Sequence, residues 1–298
     1  MTWLIAGFGG LGREIVQVMS KDPNLAQETV LALRRQPPSD SATPTPTTKP
    51  TTKPTTQWWR ADLSDPQTLR HLPAGITRVV YCATPDERDE AHYRATYLVG
   101  LQHLVQALKD TGNTDARLLF VSSTAVYGAD QAGALDENSP TEPSRFNGRV
   151  LLEAEQWLLG HWPQARVLRL SGIYGPERRY LLRQLQSGAA TVPSSDEYWA
   201  NRIHVHDAAR AVIHLLEEGT CQGVFIGTDS TPVPLKTLYR ELAHALGVAE
   251  PAVGPPSPMM SRKRLSNHKL LSTGFELRWP DCRAGYAAIM ASEDQPLQ

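Results

Sequence analysis

One stretch near the amino terminus limits what this chain can become. Trp3-Leu4-Ile5-Ala6 runs straight into Gly7-Phe8-Gly9-Gly10-Leu11-Gly12, and Ile15, Val16, Val18 and Met19 follow at near-helical spacing. An apolar run, a glycine cluster and an amphipathic run read as strand, tight turn and helix. The glycines fall at Gly7-x-Gly9-x-x-Gly12. In this pattern Gly7 permits the sharp turn, Gly9 leaves room for a pyrophosphate, and Gly12 brings helix and strand together. The helix start offers free N–H groups and a positive dipole end to the phosphates. The expected ligand is a dinucleotide, held by Gly7, Phe8, Gly9, Gly10, Leu11 and Gly12.

The next strand narrows the choice. Val30-Leu31-Ala32-Leu33 ends in Arg34-Arg35, with no Asp or Glu at the strand end. An acid there would accept from the adenosine ribose hydroxyls, whereas an arginine accommodates the extra phosphate of NADP. NADP is favoured, with NAD as the alternative.

Residues 36–57 change character: Pro, Thr, Ser and Lys dominate, and Thr-Thr-Lys-Pro repeats. Such a segment has little to bury and reads as a surface insertion without chemistry. Beyond it, apolar runs at 58–63, 79–83, 118–123 and 167–170 alternate with helical patterns over 89–108 and 146–159. That alternation implies a doubly wound parallel sheet, a Rossmann α/β fold. Residues 1–170 and 201–218 are expected to form this core, with 36–57 inserted. Residues 171–200 and 219–298 are expected to form a small substrate lobe, too small for its own core, closing over the carboxyl edge of the sheet. Within it a last short helix is read over 261–271, and Arg262-Lys263-Arg264 is read as its solvated start.

Composition excludes several classes. A net charge of −1 over 298 residues gives no electrostatic reason to expect nucleic acid or a membrane surface. Cys82, Cys221 and Cys282 are odd in number and lack CxxC spacing, which reads as a reducing, cytoplasmic setting without metal. His204 and His206 are read as a structural pair on one short strand. No HExxH, GxSxG or P-loop sequence occurs.

Further landmarks resemble the extended short-chain dehydrogenase/reductases, the NAD(P)-dependent epimerase/dehydratase family. They are Ser122-Ser123-Thr124-Ala125-Val126-Tyr127-Gly128, Glu137-Asn138-Ser139-Pro140, Gly148-Arg149-Val150-Leu151-Leu152-Glu153, Arg169-Leu170-Ser171-Gly172-Ile173-Tyr174-Gly175-Pro176 and Asn201-Arg202-Ile203-His204-Val205-His206-Asp207. The resemblance implies that Ser123 hydrogen-bonds the reacting oxygen of the substrate. It places Asp62 and Leu63 at the adenine, and Ala83 and Ser122 along the cofactor. Arg202, with Arg178, would meet the diphosphate of a sugar nucleotide. The helices over 97–108 and 146–159 are where such proteins dimerise.

The sequence also departs from the family. Its catalytic pair is a Tyr followed four residues later by a Lys, and Arg145 and Arg149 stand at those positions. A guanidinium with a pKa above about 12 neither gives nor takes a proton near neutral pH. Arg149 can still donate to ribose hydroxyls. Three readings stay open: an oxidoreductase or epimerase/dehydratase using another acid, with Tyr127 and Tyr174 as candidates; an NADP(H)-binding sensor without turnover; and a scaffold with a vestigial site. The substrate would be a small molecule, in the family pattern a nucleotide sugar.

Overall fold

The computed structural model describes residues 1–36, 54–128, 130–257 and 260–292. Seven strands form the main sheet: β1 (Thr2–Ala6), β2 (Thr29–Arg34), β3 (Thr55–Arg60), β4 (Ile76–Tyr81), β5 (Arg117–Ser123), β6 (Arg166–Leu170) and β7 (Gly223–Gly227). Their order is β7-β6-β5-β4-β1-β2-β3. The pairs β1–β2, β1–β4, β2–β3 and β4–β5 are parallel. The strand order reverses at β1, the place where doubly wound folds bind ligands beyond the carboxyl ends of the strands.

The strands form where the apolar runs are. Trp3, Leu4, Ile5 and Ala6 of β1 and Val79, Val80 and Tyr81 of β4 are fully buried, as strands covered on both faces must be. Edge strand β3 alternates exposed and half-buried residues. It begins at Thr55, so Thr55–Gln57, read above as the end of the insertion, are strand: backbone pairing with β2 overrides their polar composition. The rest of the insertion, residues 37–53, lies outside the described residues.

Helix α1 (Gly10–Met19) buries Leu11, Gly12, Ile15 and Met19 along one stripe. The helix read over 89–108 is three pieces. Helix α2 (Glu90–Tyr93) is capped by the Asp89 side chain, a π turn spans Arg94–Val99, and α3 covers Gly100–Asp110. Helix α4 (Phe146–His161) follows β5.

The chain divides into two compact units. The first holds Met1–Val126, Ser144–Arg169 and Ala209–Val224; the second holds Tyr127–Pro143, Leu170–Ala208 and Phe225–Gln298. Contrary to expectation, the second has a core of its own. Tyr174, Leu181, Leu182, Leu185, Leu238, Leu242, Tyr286 and Ile289 belong to one buried cluster there. Cys282, Tyr286 and Ile289 of it come from helix Cys282–Ala291, a segment whose short, weakly amphipathic spacing gives little sequence signal.

Two local readings are corrected. Residues 261–271 are not one helix: Lys263–Leu265 is a strand paired parallel with Gly133–Leu135, and only His268–Leu271 is helical. Lys263 is buried and its ammonium donates to the Tyr127 carbonyl at 3.2 Å, so the basic run is not solvated throughout. His204 ends strand Arg202–His204, whereas His206 lies in helix Val205–Glu217, so the two do not share a strand face. The His206 N–H donates to His204 Nδ1 at 3.1 Å.

Candidate functional site

The glycine bend is built by steric necessity. Gly7 has φ +98°, and a Cβ there would overlap the backbone N and Cα of Ala83. An L side chain would be strained by the dihedral as well as by the overlap. A Cβ on Gly12 would stand 3.2 Å from the Gly7 carbonyl oxygen and from Ile5 Cγ2, tighter than ordinary packing. Gly9 differs: a Cβ there would meet nothing within 4 Å. Gly9 caps α1 without any side-chain hydrogen bond, so the first turn keeps its donors. Open space at Gly9, in front of a helix N-terminus with free donors, fits the pyrophosphate of a dinucleotide. Phe8 is buried edge-on to Trp58, with ring centroids 5.1 Å apart. The Cys82 thiol donates to the Gly7 carbonyl at 3.2 Å. Burial pushes that thiol up to about 12, so it stays protonated.

At the end of β2, Arg34 and Arg60 are cross-strand partners and both are exposed. Like charges abreast on adjacent strands repel, so this pair favours an anion between them. Neither has a salt bridge among the described residues. Arg35 is engaged differently: its Nη2 donates to both carboxylate oxygens of Asp86 at 2.6 Å. Asp62 Oδ1 accepts from the Ser64 N–H at 2.9 Å and its hydroxyl at 2.7 Å. The Leu63 carbonyl pairs with His103 Nδ1 at 2.9 Å.

Ser122 and Ser123 end β5 but do different things. The Ser122 hydroxyl donates to Glu155 Oε1 at 2.5 Å, and Arg169 Nη2 donates to Glu155 Oε2 at 2.7 Å. Glu155 and Arg169 are 1% and 4% exposed, an ion pair inside the first unit that the sequence reading missed. A signal existed: Glu155 falls on the buried stripe of α4 with Leu151, Ala154 and Leu158. Ser123 is half-buried, and its hydroxyl accepts from the Ala125 N–H at 3.2 Å.

The head of α4 carries the departure. Arg145 is the N-cap residue and makes no side-chain cap. Arg149 donates to the Ser144 carbonyl at 3.1 Å, and both arginines are exposed.

The remaining candidates lie in the second unit. Tyr127 is buried and its hydroxyl donates to the Asp136 carbonyl at 2.8 Å. Tyr174 is buried, stacked on Tyr286 at 4.3 Å and edge-on to His204 at 5.1 Å. Its hydroxyl has no hydrogen-bond partner among the described residues, and burial raises its pKa far above the ordinary tyrosine range. Arg178 is exposed beside Gly175. Arg202 is half-buried and hydrogen-bonded to the Tyr286 hydroxyl. Burial alone would lower its pKa; the phenols of Tyr286 and Tyr239 and the Cys282 thiol more than offset this. Asp229, beside them, accepts from the Cys282 N–H at 3.1 Å. Burial pushes its carboxyl up to about 7.

The family model for the NAD dependent epimerase/dehydratase family matches residues 3–226. The chain belongs to that family. It is 29% identical over 240 residues to dTDP-4-dehydrorhamnose reductase of Mycobacterium tuberculosis, covering 74% of this chain and 77% of the relative. It is 28% identical over 190 residues to protein YeeZ of Escherichia coli K12, where the match spans 62% of this chain and 66% of the relative. A solved structure from Methylobacillus flagellatus is 32% identical over 99% of each chain, with TM-score 0.75. UDP-glucose 4-epimerase of Thermotoga maritima, solved with UDP-glucose, shares the fold at 18% identity and TM-score 0.78, covering 99% of this chain and all of that one. Among the described residues no helix is long and apolar enough to cross a membrane.

Proposed function

We propose that this protein is an NADP(H)-dependent oxidoreductase that reduces a carbonyl group of a nucleotide sugar. The observation that carries the reading is the glycine bend: the space in front of Gly9 and the free first turn of α1 form a cradle for a pyrophosphate. A bound nicotinamide would supply the hydride. The chain's own residues do the rest. Gly7 and Ala83, in contact, form the floor. Asp62 and Leu63 lie at the adenine end. Arg34 and Arg60 hold the 2′-phosphate between them. The freeing of Arg35 from Asp86 would add a third donor.

Ser123, at the end of β5, hydrogen-bonds the oxygen that is reduced. Arg149 reaches ribose hydroxyls, a task that needs donors only. Arg202, with Arg178, meets the diphosphate of the substrate, a role for which a permanently charged donor is suited. The nucleotide-sugar assignment takes support from the dTDP-sugar reductases to which the chain is similar.

The second reading is a sensor that binds NADP(H) without turnover. It is favoured by the guanidiniums at 145 and 149 in place of a phenol and an ammonium. One experiment separates them. Calorimetry with NADPH and NADH is followed by absorbance of NADPH in the presence of dTDP-4-dehydrorhamnose. Binding with oxidation supports the reductase, and binding without it supports the sensor. No heat with either nucleotide sinks both.

A further inference from the structure

A reductase must deliver a proton to the oxygen as hydride arrives at carbon. At the exposed N-cap of α4, Arg145 carries a guanidinium where the family carries its phenol. The Tyr127 hydroxyl is given to Asp136, and the Tyr174 hydroxyl is sealed in the core of the second unit. The first unit holds another phenol, placed by an irregularity in the backbone. Between α2 and α3 the helix widens into a π turn over Arg94–Val99, a feature often found at functional sites. The turn is anchored from the sheet: the buried Tyr81 hydroxyl donates to the Thr96 carbonyl at 2.5 Å. Gly100 makes room for this, since a Cβ there would lie 2.7 Å from that hydroxyl. Arg94 clamps the same turn to α4 through two bonds to Glu153, at 2.7 and 2.8 Å.

Tyr97 sits on this turn. Its ring lies 6.3 Å from that of Phe120, on β5 shortly before Ser123. It lies 5.3 Å from that of Tyr93, which is itself edge-on to Phe146, the residue after Arg145, at 5.3 Å. Tyr97 is therefore tied by its ring to β5 and, by way of Tyr93, to the head of α4. It is half-buried, and its hydroxyl has no hydrogen bond among the described residues.

We propose that Tyr97 is the catalytic acid, supplying from the π turn the proton that position 145 cannot. The inference rests on the reductase reading above. In the step, the carbonyl carbon receives a hydride from the reduced nicotinamide and the C=O π pair moves onto oxygen. The Tyr97 O–H bond breaks and its proton joins that oxygen. A bound reduced nicotinamide would supply that hydride and be oxidised in doing so; the carbonyl leaves as an alcohol, and the Tyr97 phenolate recovers a proton from water. Burial pushes the Tyr97 phenol above the ordinary tyrosine range. It is therefore protonated at neutral pH and a weak acid at rest, so its proton is drawn off only as hydride arrival makes the carbonyl oxygen a stronger base than the phenolate.

The test uses the full chain. Tetranitromethane nitration is mapped by mass spectrometry with and without NADP+, and NADPH binding and NADPH oxidation with dTDP-4-dehydrorhamnose are measured for wild type and Tyr97→Phe. Nitration of Tyr97 should fall at least about fivefold under NADP+. Tyr97→Phe should bind NADPH within about twofold of wild type while turnover drops about 100-fold or more, the usual weight of a general acid. Nitration indifferent to NADP+, or turnover of Tyr97→Phe within about tenfold of wild type, overturns the proposal alone. Wild type that binds no NADPH, or binds it without oxidation, overturns the reductase reading and the proposal with it. The nitration arm needs no variant, so it stands even where Tyr97→Phe folds poorly.

Discussion

The glycine bend and the head of α4 belong to the same unit, yet one keeps the family pattern and the other abandons it. The bend is made of backbone. Gly7 touches Ala83 and Gly12 touches Ile5, so these two glycines answer to close approaches in the protein, whereas Gly9 faces open space. The head of α4 is made of side chains on an exposed first turn. Arg145 and Arg149 sit there without disturbing the helix, whose buried face is held elsewhere. A site made of backbone resists substitution because the fold depends on it. A site made of exposed side chains can lose its chemistry while the fold remains.

The sharpest way to break this comparison is to attack the inner face of α4. Glu155→Ala leaves Arg169 charged and buried without its carboxylate, and leaves the Ser122 hydroxyl without its acceptor. Removing one partner of a buried pair costs about 3–5 kcal/mol. Chemical denaturation should show that loss, while Arg145→Ala, on the exposed side of the same helix, should stay within about 0.5 kcal/mol of wild type. Equal effects would mean that the head of the helix is structural after all.

Gly7→Ala and Gly9→Ala test the bend against itself. Gly7→Ala must tolerate positive φ and overlap with Ala83, for a loss of roughly 2–4 kcal/mol in stability together with NADPH affinity. Gly9→Ala meets no protein atom within 4 Å, so it should keep its melting temperature and lose affinity only. If Gly9→Ala binds NADPH as wild type does, the space in front of Gly9 is not the pyrophosphate site.

How much of this was legible follows the same line. The bend, the parallel sheet and the arginines ending β2 could be read because period, glycine spacing and charge are local properties of the chain. The Glu155–Arg169 pair was overlooked because its partners are brought together by the sheet and not by spacing, although an acid on an apolar helix stripe was in view. The strand at Lys263–Leu265 was mistaken for helix because three residues carry no period, and its support comes from the distant Gly133–Leu135 and the Asn201 side chain. The π turn at Arg94–Val99 is invisible to pattern reading, since the Tyr81 hydroxyl that holds it comes from another strand.

Charge supplies the next test. Arg34→Ala and Arg60→Ala each remove a donor from the proposed 2′-phosphate site, and a charge-assisted hydrogen bond is worth about 1.5–3 kcal/mol. NADPH affinity should fall roughly 10- to 100-fold in calorimetry with NADH affinity nearly unchanged. Equal losses for both nucleotides would remove the NADP preference. Asp86→Asn releases Arg35 and should move NADPH affinity the other way.

A pH series examines the second unit, where side chains are buried instead of exposed. Burial holds the Asp229 carboxyl at about 7, above its unfolded value of about 3.9. The folded state therefore holds this proton more tightly. Its contribution to stability is complete below about pH 4 and is lost as pH rises through 7. Asp229→Asn, which keeps an acceptor for the Cys282 N–H, should gain on wild type between pH 5 and 8, on the order of 1–3 kcal/mol. A constant difference in melting temperature across that range would place the proton elsewhere.

The smallest effect is expected at Tyr174. Its hydroxyl is buried and unpaired, so Tyr174→Phe deletes a desolvated group and keeps the ring on Tyr286 at 4.3 Å. Stability should hold or rise by up to about 1 kcal/mol, because an unmet buried donor is itself a cost. Gly285→Ala, by contrast, would drive a Cβ into that hydroxyl and should destabilise, so the pair brackets how tightly the ring is held. The informative readout is binding. If Tyr174→Phe weakens a dTDP-sugar while leaving NADPH untouched, the ring shapes the substrate site through the residues packed on it. If neither ligand notices, Tyr174 is core, and in the second unit Arg202 and Arg178 remain to recognise the sugar nucleotide.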